Sequence, residues 1–187
     1  MTIRVFIAIE IDSEIKDKLS EYLSKLKRTG ADVKWVSPEN IHLTMKFIGH
    51  IEKEALVDLN KVVNDAVSNI EPFSISIGDI GAFPSLNKPR VVFVCAQERG
   101  NNLLNIYERL DKGVESLGIK KESKKYVGHI TLGRVKSQRN ISRLINTLNS
   151  GAEYYFGCEK VKSLSLIQSK LTPIGPFYTR LNNFILN

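Results

Sequence analysis

Histidine occurs at positions 42, 50 and 129, and two of the three stand in the same local pattern. His42-Leu43-Thr44-Met45 and His129-Ile130-Thr131-Leu132 lie 87 positions apart, each in an alternating apolar stretch. Side chains on a β-strand alternate between faces, so His42 and Thr44 share one face while Leu43, Met45 and Phe47 point to the other. His129 and Thr131 pair in the same way, with Ile130 and Leu132 opposed. Each segment offers one imidazole and one hydroxyl side by side. Such a set suits in-line displacement at phosphorus: one imidazole takes a proton from the attacking oxygen, the other gives one to the leaving oxygen. A histidine pKa of about 6.5 makes both protonation states available near neutrality. Each proton transfer is worth roughly 10²–10⁴-fold in rate. The threonine hydroxyls can donate to non-bridging phosphate oxygens, which helps if those bonds strengthen as charge builds. One His-x-Thr on a strand is an ordinary surface pair; duplication is what points to chemistry. The sequence does not show that the two strands meet. His50, after Gly49 and without a companion motif, reads as a surface residue.

Other chemistries fit less well. Neither motif has an acidic or cysteine neighbour at ligand spacing, and two histidines are too few for a typical zinc site, so no metal and no cofactor are expected. A Ser–His–Asp set assembles from distant positions, so spacing does not exclude it. The sequence has no Gly-x-Ser-x-Gly elbow, Walker loop or dinucleotide fingerprint. Cys95 and Cys158 sit in apolar, strand-like contexts and read as two buried thiols rather than a disulfide or C-x-x-C site.

The elements that position the motifs follow from the period of the apolar residues. A strand is predicted over 3–11, then a helix capped by Asp12 or Ser13 with Ile15, Leu19, Tyr22, Leu23 and Leu26 on one face, closed by Gly30. Val33–Val36 reads as a short extended piece and Ile41–Ile48 as the first motif strand, ended by Gly49. A helix over 53–70 and strands over 73–83 and 90–97 follow, with Pro84 and Pro89 bracketing the loop between the strands. A third helix covers 102–117, stopped by Gly118. The second motif strand reads as 126–135, then a short helix over 141–148, a strand-like stretch 158–169, and a last strand over 178–185. The order predicts an α+β fold. Each half carries a helix and then a His-x-Thr strand.

Net charge is +7, from 27 Lys and Arg against 20 Asp and Glu, which favours polyanionic partners. The run Lys120-Lys121-Glu122-Ser123-Lys124-Lys125, just before the second motif, reads as a solvated loop that can also steer an anionic substrate. Apolar runs are far below the roughly 20 residues that span a bilayer, and the N-terminus lacks a signal-peptide pattern, so a cytoplasmic protein without membrane contact is expected.

Asn40–Gly49 (NIHLTMKFIG) and His129–Arg134 (HITLGR) resemble the two signature motifs of the two-histidine phosphoesterase superfamily. More narrowly, the chain is similar to the RNA 2',3'-cyclic phosphodiesterases, also called 2'-5' RNA ligases. The likeness runs nearly end to end, through Arg4–Ile9, Lys34–Val36, Gly81–Pro84, Pro89–Val92, Ser169–Leu171 and Gly175–Tyr178. One departure is Gly128, where the family usually has proline before the second histidine; glycine there loosens the backbone that carries His129. The resemblance implies one domain over 1–187, bilobed with pseudo-twofold symmetry, two antiparallel sheets flanking a groove and helices outside. It implies hydrolysis of RNA 2',3'-cyclic phosphate to 2'-phosphate without metal. His42 would protonate the departing O3', His129 would activate water, and Thr44 and Thr131 would hold the phosphate. Phe47 and Arg134 would contact the nucleotide, although strand parity puts both off the catalytic faces, so a bulge or strand end has to redirect them. As plain alternatives, Phe47 is a core residue and Arg134 a surface charge. Lys46 shares the His42 face by parity and would add charge near the groove. Trp35 reads as core, or as a base-stacking platform. The partner implied is RNA or an oligonucleotide ending in a cyclic phosphate, bound by a monomer. An ATP-independent 2'-5' RNA ligase and a basic RNA-binding module without catalysis are the other readings.

Overall fold

The computed structural model describes residues 1–123, 125–151, 153–173 and 175–187. Strand β1 (Thr2–Glu10) sends Val5, Ile7 and Ile9 to one side and Phe6 and Ala8 to the other, and all five are buried. A strand buried on both faces belongs inside a sheet. β1 indeed lies between β3 (His42–Glu52) and β8 (Ser163–Thr172), with β9 (Gly175–Ile185) beyond β8, all antiparallel. The second sheet runs β2 (Val33–Trp35), β6 (His129–Val135), β5 (Lys88–Gln97), β4 (Phe73–Ser85) and β7 (Tyr155–Val161), again antiparallel throughout. The chain is α+β, with two antiparallel sheets and helices α1 (Ser13–Lys27), α2 (Leu56–Val67), α3 (Asn102–Gly113) and α4 (Ile141–Asn149).

Helix α1 starts where predicted, because the Asp12 carboxylate accepts from Glu14 N at 3.0 Å. Glu159 of β7 accepts from Asp12 N at 2.8 Å. The helix's apolar stripe of Ile15, Leu19, Leu23 and Leu26 enters a cluster that also takes in Ile7, Leu43, Leu59, Leu110, Ile130 and Leu166. Burying a side chain of this size stabilises by about 1.5–3 kcal/mol, and this one cluster draws on both sheets and all four helices. A smaller cluster of Phe6, Ala8 and Ile167, with Tyr178 against it, covers the opposite face of the first sheet.

Several boundaries differ from the sequence expectation. The stretch predicted as one strand over 158–169 is two strands in different sheets, β7 ending at Val161 and β8 beginning at Ser163, so the chain crosses between sheets at Lys162. Gly49 does not end β3. It sits at φ +85° inside the strand, next to a register shift against β1, a conformation glycine adopts without strain. Pro84 and Pro89 bracket the turn at Leu86 and Asn87 as expected, but they lie within the strands and face each other as partners in the β4–β5 hairpin. The second motif strand starts at His129, three residues later than its pattern suggests, because Tyr126 turns to stack on Tyr107 of α3. Cys158 is exposed, not buried, because a register shift beside Gly157 reverses the parity of β7 and turns Glu159 inward instead. Cys95 and Cys158 are both free thiols. His50 is exposed as expected.

Candidate active site

The two sheets face each other across a groove of about 560 Å³. One wall is built from Arg4, Phe6, His42, Thr44, Phe47 and Tyr178 of the first sheet. The other carries Lys34, Trp35, Thr131 and Arg134 of the second. Two strands that never pair, β3 and β6, thus bring the two His-x-Thr motifs to one cleft. His129 sits just beyond the cavity's lining, half-buried at the start of β6.

Both motif strands contain a bulge at the same place. In β3, Thr44 faces Ala8 and Lys46 faces Ile7, so Met45 has no partner on β1. In β6, Thr131 faces Phe93 and Gly133 faces Val92, so Leu132 has no partner on β5. Each extra residue lies three positions after the histidine and flips the parity of the residues beyond it. Phe47 and Arg134, five positions after their histidines, thereby return to the groove side. Phe47 is 53% exposed and lines the groove, so it is not a core residue. Arg134 lines the groove from the other sheet. The same bulge overturns the expectation for Lys46. It faces Ile7, is 1% exposed, and pairs with Asp111 of α3 at 2.5 Å instead of charging the groove. Gly133 leaves room for Trp35: a Cβ there would meet Trp35 Cε3 at 2.6 Å and Val33 Cγ1 at 2.7 Å. Trp35 packs partly against the core and partly into the groove.

The histidines are held alike. His42 Nδ1 lies 2.7 Å from the Asn40 carbonyl oxygen, and His129 Nδ1 lies 2.7 Å from that of Val127. A carbonyl only accepts, so Nδ1 carries the proton in both rings and each Nε2 is the base when the ring is neutral. His42 Nε2 is 3.0 Å from Thr44 Oγ1. Each ring is flanked by two others: Phe6 and Tyr178 at 4.8 and 5.5 Å for His42, Phe93 and Phe83 at 5.3 Å each for His129. Burial pulls the His42 pKa below the ordinary histidine value, opposed by the Asn40 carbonyl; Lys16 lowers it further and Glu10 raises it. Burial pushes the Tyr178 phenol up, while Arg4 and Arg134, from opposite sheets, pull it back. Those two guanidiniums and Lys34 are cations on the groove walls. Among the described residues, no three His, Cys, Asp or Glu side chains converge on a position that could hold a metal ion.

Gly128 is not slack. Its carbonyl accepts from Ala96 N at 2.9 Å, and a Cβ would run into the Ala96 carbonyl oxygen. Of the lysine run before the second motif, Lys120, Lys121 and Lys125 are exposed and Lys121 pairs with Glu115; Lys124 lies outside the described residues.

Residues 9–93 and 94–178 each match the family model described as LigT-like phosphoesterase, one His-x-Thr in each copy. The chain belongs to the LigT-like phosphoesterase family. It is 36% identical to the RNA 2',3'-cyclic phosphodiesterase of Methanothermobacter thermautotrophicus over 186 residues, covering 100% of both chains. It is 37% identical to the enzyme of that name from Methanocaldococcus jannaschii, over 94% of this chain and 96% of that one. A crystal structure from Thermus thermophilus superposes with a TM-score of 0.81 at 30% identity, covering 98% of each chain. Escherichia coli LigT with 3'-AMP superposes at 0.80 with 20% identity, covering 100% and 99%, a likeness of fold. The family match in two copies agrees with the paired bulges and paired carbonyls. Reasoning from the sequence missed the rings that wall the LigT-like site, Phe6, Phe83, Phe93 and Tyr178, and the cation Arg4. Their signal was present: Phe6 and Phe93 lie on strands that flank the motif strands, but the pairing of β1 with β3 and of β5 with β6 is not written in local pattern.

Proposed function

We propose that this protein hydrolyses RNA 2',3'-cyclic phosphate ends to 2'-phosphates, with His42 and His129 as the acid–base pair and no metal ion. The observation that carries the proposal is the duplicated carbonyl bond to Nδ1, which leaves an Nε2 for proton transfer on His42 in the groove and on His129 just beyond its lining. The names of the full-length relatives support the substrate class. In the proposed step, His129 Nε2 takes a proton from water, and the water oxygen bonds to phosphorus. The P–O3' bond breaks, His42 gives its proton to O3', and the phosphate stays on O2'. Thr131 donates to a non-bridging oxygen. Thr44 is tied to His42: when Nε2 is bare it accepts the Thr44 hydroxyl, and when protonated it donates to Thr44 and frees that hydroxyl for phosphate. Burial keeps His42 neutral in the free protein near pH 7, and an anionic substrate favours its imidazolium. Arg4, Lys34 and Arg134 attract the phosphate, and Phe47 meets the nucleotide. The reaction is assigned to one domain over 1–187, a monomer in the cytoplasm, acting on RNA or oligonucleotide ends. No helix among the described residues is long and apolar enough to cross a membrane.

The test is turnover of the four nucleoside 2',3'-cyclic phosphates and a short RNA ending in one, with EDTA present, for wild type, His42→Ala and His129→Ala. A 2'-phosphate product from wild type alone is expected. Absence of turnover by wild type, with RNA still bound, would overturn the proposal in favour of a binding module.

A further inference from the structure

Two catalytic groups on unpaired strands need something to fix their spacing, because a misplacement of about 1 Å can cost on the order of 100-fold in rate. Behind the groove, the Tyr126 hydroxyl donates to the Thr44 carbonyl oxygen at 3.3 Å and lies 3.3 Å from Met45 Sδ. Thr44 and Met45 are the motif threonine and the bulge residue of β3. The next residue, Val127, supplies the carbonyl that holds His129 Nδ1 at 2.7 Å. One short path thus runs from the first motif through Tyr126 and Val127 to the second imidazole.

Tyr126 is itself anchored. Its ring stacks on Tyr107 of α3, centroids 4.4 Å apart and planes 21° from parallel. One turn further along α3, Asp111 accepts from Lys46 at 2.5 Å and from Glu122 N at 3.2 Å. Lys46 is also 3.6 Å from the Glu122 carboxylate. The buried Lys46–Asp111 pair therefore ties the β3 bulge, helix α3 and the segment leading to Tyr126 into one cluster. A charge pair this deep adds little stability against an apolar equivalent, and its best-attested use is to specify one arrangement. Tyr126 does not line the groove cavity.

We propose that Tyr126 is a positioning residue that sets the spacing of His42 and His129 across the two sheets. The proposal rests on the two-histidine reading above. Tyr126→Phe keeps the stacked ring and removes only the hydroxyl, so the protein is expected to fold, with a melting temperature lowered by about 2–4 °C. Its kcat on a nucleoside 2',3'-cyclic phosphate is expected to fall about tenfold with KM within about twofold. Nitrogen-15 NMR of the imidazoles gives a readout independent of turnover: the His129 ring signals are expected to move although residue 126 does not touch that ring. Tyr107→Phe, the same change on the stacking partner, is expected to leave both kcat and the His129 signals as in wild type. Wild-type kcat in Tyr126→Phe, or a lowered kcat with His129 signals unmoved, would overturn the proposal. If the wild type itself turns over no cyclic phosphate, the functional reading fails separately, and unmoved His129 signals in Tyr126→Phe then overturn the positioning role as well.

Discussion

The two halves of the groove share a backbone device and differ in what surrounds it. In each, a carbonyl two residues upstream holds Nδ1, two rings flank the imidazole, and a bulge three positions on turns a fifth residue into the cleft. The turned residue is apolar in one half, Phe47, and cationic in the other, Arg134. Across the sheet, His42 has Glu10 as its strand partner, held by Ser165 at 2.6 Å and Arg180 at 3.2 Å, whereas His129 has Cys95. The fold thus duplicates the backbone geometry around the two imidazoles, while their strand neighbours differ.

Removing either imidazole is the strongest way to break the pairing. His42→Ala and His129→Ala are each expected to lower kcat/KM by roughly 10²–10⁴-fold, with the double variant little worse than either. Steady-state kinetics on a cyclic nucleotide checks this, and full additivity would argue against a pair that works as a unit. Next comes the difference between the turned residues. Arg134→Ala is expected to raise KM about 10–100-fold by removing a charged hydrogen-bond donor, while Phe47→Ala weakens binding less. Equal effects would erase the distinction. In the second half, Gly133→Ala drives a methyl into Trp35 and Val33, and a destabilisation of about 1–3 kcal/mol is expected in denaturant unfolding.

The smallest expected effect concerns acid and base roles. Glu10 raises the His42 pKa against the lowering by burial. If His42 is the proton donor, its active form is the imidazolium, so activity falls as pH rises through its lowered pKa. Glu10→Gln lowers that pKa further. Its kcat/KM is therefore expected to drop at a lower pH than in wild type, giving less activity at neutrality and equal activity well below it. Superimposable pH–rate profiles would leave Glu10 without a role in the proton transfer.

Much of this was legible in the sequence, because period-two alternation and duplicated His-x-Thr are local signals. Helix α1 with its Asp12 cap and Gly118 as a stop were read from residue type alone. The bulges were not. Parity put Lys46 on the catalytic face and Phe47 off it, and only the pairing with β1 shows that Met45 is the extra residue. The break at Lys162 was hidden for a related reason: apolar residues recur on both sides of it, Phe156 and Val161 before and Leu164, Leu166 and Ile167 after, and nothing local says that the two stretches belong to different sheets.

The most direct test of the paired mechanism uses a cyclic phosphate whose 3'-bridging oxygen is replaced by sulfur, a leaving group that needs no proton. His42→Ala is predicted to regain most of its lost rate on this substrate, and His129→Ala to stay inactive. Rescue of His129→Ala instead, or of neither variant, would contradict the assignment of His42 as the acid and His129 as the base.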